Sequence, residues 1–292
     1  MDGKEKEFSP EETETRERFI IGQFERVGFY ISKHPELFER FKILHNPPES
    51  KHFEDAAQMV EIIEEIWEDL DKSLPFKLEK EKIILTTLLH DVGKSGPKEA
   101  TLEEQKLVVT LFDPSHYERI TAAGKNVGEE TILHAIHESD LSDGIQQKIE
   151  KYLNRLGVDI VNEKMIDFWR RHADWTYDIL KDSKDDKIDN RLAAMAASHH
   201  ILDGKNPARL NLEEIPGEAK TIEIIETYEV LTIVDKFQAF IKRSGLDHAD
   251  AVKVLRKIIL KQKFPKRVEE SYLAILSVIE SSKDKLQAKL KK

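Results

Sequence analysis

The sequence predicts an all-α protein built around a single helical domain with an N-terminal helical extension and a central helical insertion, and three observations carry that expectation. Apolar residues recur in steps of three and four along most of the chain. Glu, Lys, Leu and Ile fill the long stretches, with 35% charged and 39% hydrophobic residues and only 12 glycines and 10 prolines among 292 residues. No stretch alternates apolar and polar residues strongly enough to compete as a strand. Length alone allows one large domain or two small ones. The lack of an internal repeat, a low-complexity linker or a jump in composition favours one.

Composition also excludes function classes. A net charge of -10 argues against bulk attraction to nucleic acid or to an anionic membrane, so a small anionic ligand would need a local cationic site. The chain has no cysteine, which removes disulfides, thiolate metal sites and cysteine nucleophiles. Any metal must be held by histidine and carboxylate. The first residues, "MDGKEKEFSPEETETRERF", are charged where a signal peptide would be apolar, and no run approaches the roughly 18 apolar residues of a membrane span. The expectation is a cytoplasmic protein with neither nucleic acid nor membrane as partner.

Along the chain, residues 1 to about 15 have almost nothing to bury and read as a solvated tail. Helical spacing begins at Phe19, runs to Phe41, and breaks at "HNPPES"; Ser50 is placed to cap the next helix. That helix carries His52, Ala56, Met59, Ile63, Ile66 and Leu70 on one face, with His52 heading the stripe. A helix from about Glu79 to Asp91 stops at Gly93. Residues 101 to 160 read as a polar, mostly helical insertion broken at "DPS", "AAGKNVG" and "SDG". Next, a helix over about 163–181 aligns Met165, Phe168, His172, Trp175 and Ile179, and one over about Asn190–Leu202 aligns Leu192 with His199. The helix over about 221–242 turns Leu231 and Val234 inward with Asp235 beside them, and an amphipathic basic segment, 247–292, is interrupted at "KFPKR". The division is thus 1–49, tail and helical extension, and 50–292, the main domain.

Singly, His52 or His172 reads as a hydrogen-bonded core residue, Asp91 and Asp235 as helix-end or ion-pair carboxylates, and Lys94 as a solvent-exposed cation at a helix C-terminus. Of the adjacent pair His199 and His200, one could simply be solvated, because neighbouring helical side chains diverge by about 100°. Jointly that reading does poorly. Four helices each bring His or Asp to a buried stripe, and each such group costs free energy unless something compensates it. A shared cation serves all of them, and five or more candidate ligands exceed one tetrahedral site, which points to two metals.

The set "HDVGK" with an upstream helical His52, then "HADWTYDIL", "SHHILDGKNP" and "LTIVDKFQAF", resembles the HD superfamily of metal phosphohydrolases, in particular its HD-GYP phosphodiesterase branch. The resemblance runs from about Ser50 to Ile279 and includes "ADAVKVLRKI" and "KFPKRVEESYLAIL". It implies that His52, His90, Asp91, His172, His199, His200 and Asp235 ligate metal, that Asp91 bridges two divalent ions, and that Lys94 contacts a substrate phosphate. Fe or Mn is favoured, with Zn, Ni and Mg open. The chain departs from the branch at Ile201, where the signature has Glu, and at "KNP", where it has Gly-Tyr-Pro. Some members hold a third metal through an upstream Glu, here Glu49. His116, His134 and His137 of the insertion stand as rival ligands. The function so implied is two-metal hydrolysis of a cyclic dinucleotide such as cyclic di-GMP, or of a related nucleotide phosphoester. An inactive nucleotide-sensing module and an HD-type nucleotidase are the alternatives, and a protein partner or homodimer stays open.

Overall fold

The computed structural model describes residues 9–46, 50–74, 77–200, 202, 222–262, 264 and 266–290, and within these the chain is α-helical. Glu49, Ile201, the "DGKN" turn and "KNP" lie outside the described residues. The chain begins with α1 (Pro10–Glu25), a short 3-10 turn at Ile31–Lys33 and α2 (Pro35–Leu44). The helical spacing from Phe19 to Phe41 is divided between two helices: Gly28 turns the chain at a φ of 65° and Pro35 opens the second. α1 also starts inside the stretch expected to be a tail. Ser9 and Glu12 form a reciprocal capping box there, which satisfies the first amides of an otherwise polar turn.

A two-residue antiparallel pair, His45–Asn46 with Ser50–Lys51, leads into α3 (His52–Ser73). Ser50 does not cap that helix as the sequence suggested. Its hydroxyl donates to the Leu44 carbonyl at 3.0 Å and so closes the small hairpin. Then come α4 (Lys80–Leu89) and a 3-10 turn, Val92–Ser95. The insertion holds α5 (Leu102–Thr110), α6 (Glu118–Ala122), α7 (Ile132–Glu138) and α8 (Asp143–Arg155). α9 (Met165–Leu180), α10 (Asn190–Ala197), α11 (Ile222–Lys242), α12 (His248–Lys261), α13 (Lys266–Ser281) and α14 (Lys283–Leu290) complete the chain.

Two apolar cores form. The larger joins Ile20, Phe24, Phe41 and Leu44 of the N-terminal helices to Ile63 and Ile66 of α3, Leu85 and Leu88 of α4, and Leu231, Leu255 and Ile275 of the later helices. The insertion builds its own core from Val108, Leu111, Tyr117, Ile132, Ile136, Ile149 and Leu153, completed by Met165 and Phe168 of α9. α9 therefore serves both cores, and His172 lies on it just beyond Phe168. Among the described residues no helix is long and apolar enough to cross a membrane.

Candidate metal centre

The buried face of α4 runs through Leu88 and Leu89, and the chain then tightens into the 3-10 turn, leaving His90 and Asp91 at the junction inside the molecule. α9 crosses this junction closely. A β-carbon on Gly93 would fall 2.0 Å from the His172 carbonyl oxygen and 2.6 Å from the Thr176 amide nitrogen. Gly93 has no positive φ, so its role is to admit α9 rather than to end a helix in a left-handed turn. The Thr176 hydroxyl then joins the two segments, accepting from the Gly93 amide at 3.0 Å and donating to the His90 carbonyl at 2.9 Å.

On the other side Arg40 of α2, almost fully buried, grips the chain that leaves the turn. Its guanidinium donates to Ser95 Oγ at 2.8 Å and to the carbonyls of Gly96, Pro97 and Lys98 at 3.1, 2.8 and 2.7 Å. Burial lowers its pKa to about 10.

Between these clamps the ligating groups converge on Asp91. Oδ1 lies 3.2 Å from His172 Nε2 and 3.6 Å from His199 Nε2; Oδ2 lies 3.3 Å from His90 Nε2 and 2.5 Å from Lys94 Nζ. His172 Nε2 is 3.0 Å from His199 Nε2 and 3.1 Å from His200 Nε2. Lys94 is buried rather than a solvent-exposed cation at a helix end. Among the described residues two overlapping groups could hold an ion, His172 with His199 and His200, and His90 with Asp91 and His199, their donor atoms all within 4.8 Å of one another in each group.

The other ring nitrogens show how the imidazoles are oriented. Nδ1 of His90 bonds the Thr87 carbonyl at 2.7 Å, Nδ1 of His199 the Ala196 carbonyl at 2.7 Å, and Nδ1 of His172 the Trp169 carbonyl. A carbonyl can only accept, so each Nδ1 carries the proton and, in the neutral ring, each Nε2 presents a lone pair. Lone pairs facing one another at 3.0 Å repel unless a cation lies between them. Metal-nitrogen bonds of about 2.0–2.1 Å at right angles would set two donors roughly 3 Å apart, and the donor set fits such an ion.

The charge balance agrees with ligation by neutral rings. Burial depresses the pKa of His172, and holds those of His52, His199 and His200 well below the usual imidazole range. For His90 burial acts the same way but is outweighed by the charges of Asp91 and Asp235, and its pKa rises. Asp91 stays ionised far into acid: burial opposes its charge, but the charges of His90 and Lys94 prevail.

His52 is buried, and its Nε2 has no hydrogen-bond partner among the described residues; it feels the charges of Lys94 and Asp91 but does not join either close group. Asp235, half-buried on α11, acts on His90 and His199 electrostatically and is likewise outside both groups. His199 and His200 do not sit on a helix as expected. α10 ends at Ala197, the Ser198 hydroxyl donates to the Ala194 carbonyl, and the turn brings both rings toward His172 with centroids 4.1 Å apart. The rivals in the insertion pair elsewhere: His116 with Asp140 at 2.8 Å, His134 with Glu130 at 3.3 Å, His137 with Glu150 at 2.9 Å. Sequence reasoning missed Thr176, although it lies four residues after His172 on the same helix face, and Arg40, for which no local signal exists.

No curated protein and no solved structure compared matches this chain. Residues 51–152, the stretch with His52, His90, Asp91 and Lys94, match the family model of the HD domain.

Proposed function

We propose that this chain hydrolyses a phosphodiester bond in a nucleotide, a cyclic dinucleotide first among the candidates, with two divalent transition-metal ions held around Asp91. The observation that carries the proposal is the convergence of His90, His172 and His199 Nε2 atoms on the two oxygens of one buried carboxylate, with every Nδ1 committed to a carbonyl. Oδ1 faces His172 and His199 and Oδ2 faces His90, so that the two histidine sets would share the carboxylate. His52 and Asp235, outside both close groups, would be the further ligands on this reading. Histidine with carboxylate and no thiolate suits iron or manganese. The HD-domain match supports a metal-dependent hydrolase.

Bound divalent ions would polarise the phosphoryl oxygens and lower the pKa of water for in-line attack. Asp91 places negative charge between the two histidine sets and fixes Lys94 at its Oδ2. Lys94 in turn holds a positive charge beside the centre, where a phosphoryl group gains negative charge during attack. A cavity of about 200 Å³ is lined by Lys236 and Arg243, whose charges act on His200 and His52, with Leu202, Phe240, Leu255 and Ile258. Two cations with an aromatic and aliphatic lining suit a planar anionic ligand.

Elemental analysis of protein purified without chelators, with product analysis on cyclic di-GMP, a linear dinucleotide and nucleoside monophosphates, tests the proposal. About two ions per chain and metal-dependent ring opening are expected, slower on cyclic di-GMP than in proteins with the full Gly-Tyr-Pro signature. No stoichiometric metal after reconstitution removes the proposal. Turnover of monophosphates alone makes the protein a nucleotidase, and nucleotide binding without turnover makes it a sensing module.

A further inference from the structure

The insertion reaches the metal centre through an aromatic ring. Phe112 follows α5 and stands edge-on to two histidines, His172 with ring centroids 5.6 Å apart at 88° and His52 at 6.4 Å and 89°, while it stacks on Phe168 at 5.7 Å and 30°. The main chain beside it is fixed from two directions. Trp169 Nε1 and the Tyr117 hydroxyl both donate to the Leu111 carbonyl, at 2.7 and 3.2 Å. Tyr117 is itself sealed in the insertion's core, so the fold of the insertion and α9 together set the position of the ring.

Phe112 is nevertheless only half-buried, whereas His52 and His172 against it are buried. A fully enclosed ring would do nothing but pack. A ring held rigidly at this place, with part of its surface open, offers an aromatic contact to whatever ligand sits at the histidine cluster. Because it is preorganised, little side-chain freedom is lost when a ligand lies against it.

We propose that Phe112 is a specificity-determining residue, the aromatic wall of the centre on which the base of a nucleotide phosphoester stacks. The proposal rests on the nucleotide phosphoester reading above and assigns one residue to base selection: through Phe112, phosphates that carry a nucleobase are preferred over phosphates that do not. Stacking of a base on an aromatic side chain strengthens binding by roughly five- to a hundredfold and tolerates any base, since each has a π-face. Phe112 accordingly selects for a base without choosing which one.

The test is calorimetric titration of the metal-reconstituted full chain with GMP and with ribose 5-phosphate, for the unchanged protein, Phe112→Leu and Phe112→Tyr. Leu keeps the apolar volume and the packing on Phe168 but removes the π-face; Tyr keeps the ring. GMP is expected to bind about tenfold or more tightly than ribose 5-phosphate. Phe112→Leu should remove most of that difference while leaving ribose 5-phosphate affinity and metal content unchanged, and Phe112→Tyr should retain it. Equal affinity for the two probes in the unchanged protein, no binding of either, unaltered GMP binding in Phe112→Leu, or a parallel loss for both probes would each overturn the proposal. Hydrolysis of bis(p-nitrophenyl) phosphate, measured on the same samples, separates the two claims. Its absence alongside Phe112-dependent GMP binding counts against the hydrolase and not against the stacking role.

Discussion

Asn at position 91 would keep the shape of the side chain and one accepting oxygen but remove the charge that faces His90, His172, His199 and Lys94. If Asp91 were only a polar helix end, that change would be nearly silent. With a bridging role, Asp91→Asn should stay helical by circular dichroism, lose at least one ion per chain and lose essentially all turnover; full metal occupancy would return Asp91 to a structural role. Lys94→Ala should keep its metals and lose mainly rate. His172→Ala should release metal, whereas His116→Ala and His137→Ala, each removing one partner of an ion pair in the insertion, should not. The reverse result by elemental analysis would reassign the ligands. His52, His90 and His172 could be found in the sequence because helical periodicity places them on apolar faces. Which nitrogen His90 and His172 turn to the centre could not, because it depends on the Thr87 and Trp169 carbonyls being left for Nδ1.

At the level of elements, the contact of α9 with the turn after α4 depends on one hydroxyl. Thr176→Val preserves the volume of the side chain but strips the Gly93 amide and the His90 carbonyl of their shared partner inside the protein. An unsatisfied buried group costs about 1–3 kcal/mol, so a urea midpoint lowered to that extent is expected, with Thr176→Ser close to the unchanged protein. Equal midpoints for Val and Ser would show that water replaces the hydroxyl at no cost. Most helices were legible because each has a sustained apolar stripe. The exceptions have physical causes: α1 begins in "SPEETETRER", where a capping box rather than a stripe holds the first turn, and α10 stops short of the histidines because Ser198 bonds back to Ala194.

For the molecule as a whole, the packing of the insertion was the least legible feature. Its core residues are scattered over four short helices and two 3-10 turns, so no window shows a lasting period, and the polar surface dominates the composition. The N-terminal helices likewise place Phe24, Phe41 and Leu44 in the main core, which charge-rich sequence around them concealed. One global prediction follows from the buried imidazoles. His52, His172, His199 and His200 have folded pKa values below the 6.5 of the unfolded chain, so unfolding takes up protons wherever the pH is below about 6.5. Their effect on stability is nil above that value and grows more unfavourable as the pH falls; His90, shifted upward, offsets a part. The melting temperature of the metal-free protein should therefore hold steady from about pH 8 to 7 and decline between about pH 6.5 and 5. A flat profile across that interval would mean that the rings are solvated without metal.

Arg40 bears on how the chain can be divided. Its guanidinium is the donor for one hydroxyl and three carbonyls of the segment immediately after the ligand-bearing turn, and it comes from a helix that precedes the first candidate ligand. Cutting the gene anywhere between α2 and α3 would take this donor from the buried Ser95 hydroxyl and Gly96 carbonyl and release the Pro97 and Lys98 carbonyls nearer the surface. The first forty-odd residues thus act as a splint for the turn that carries His90 and Asp91, and a shortened protein starting at His52 should be insoluble or metal-poor even though every ligand is still encoded.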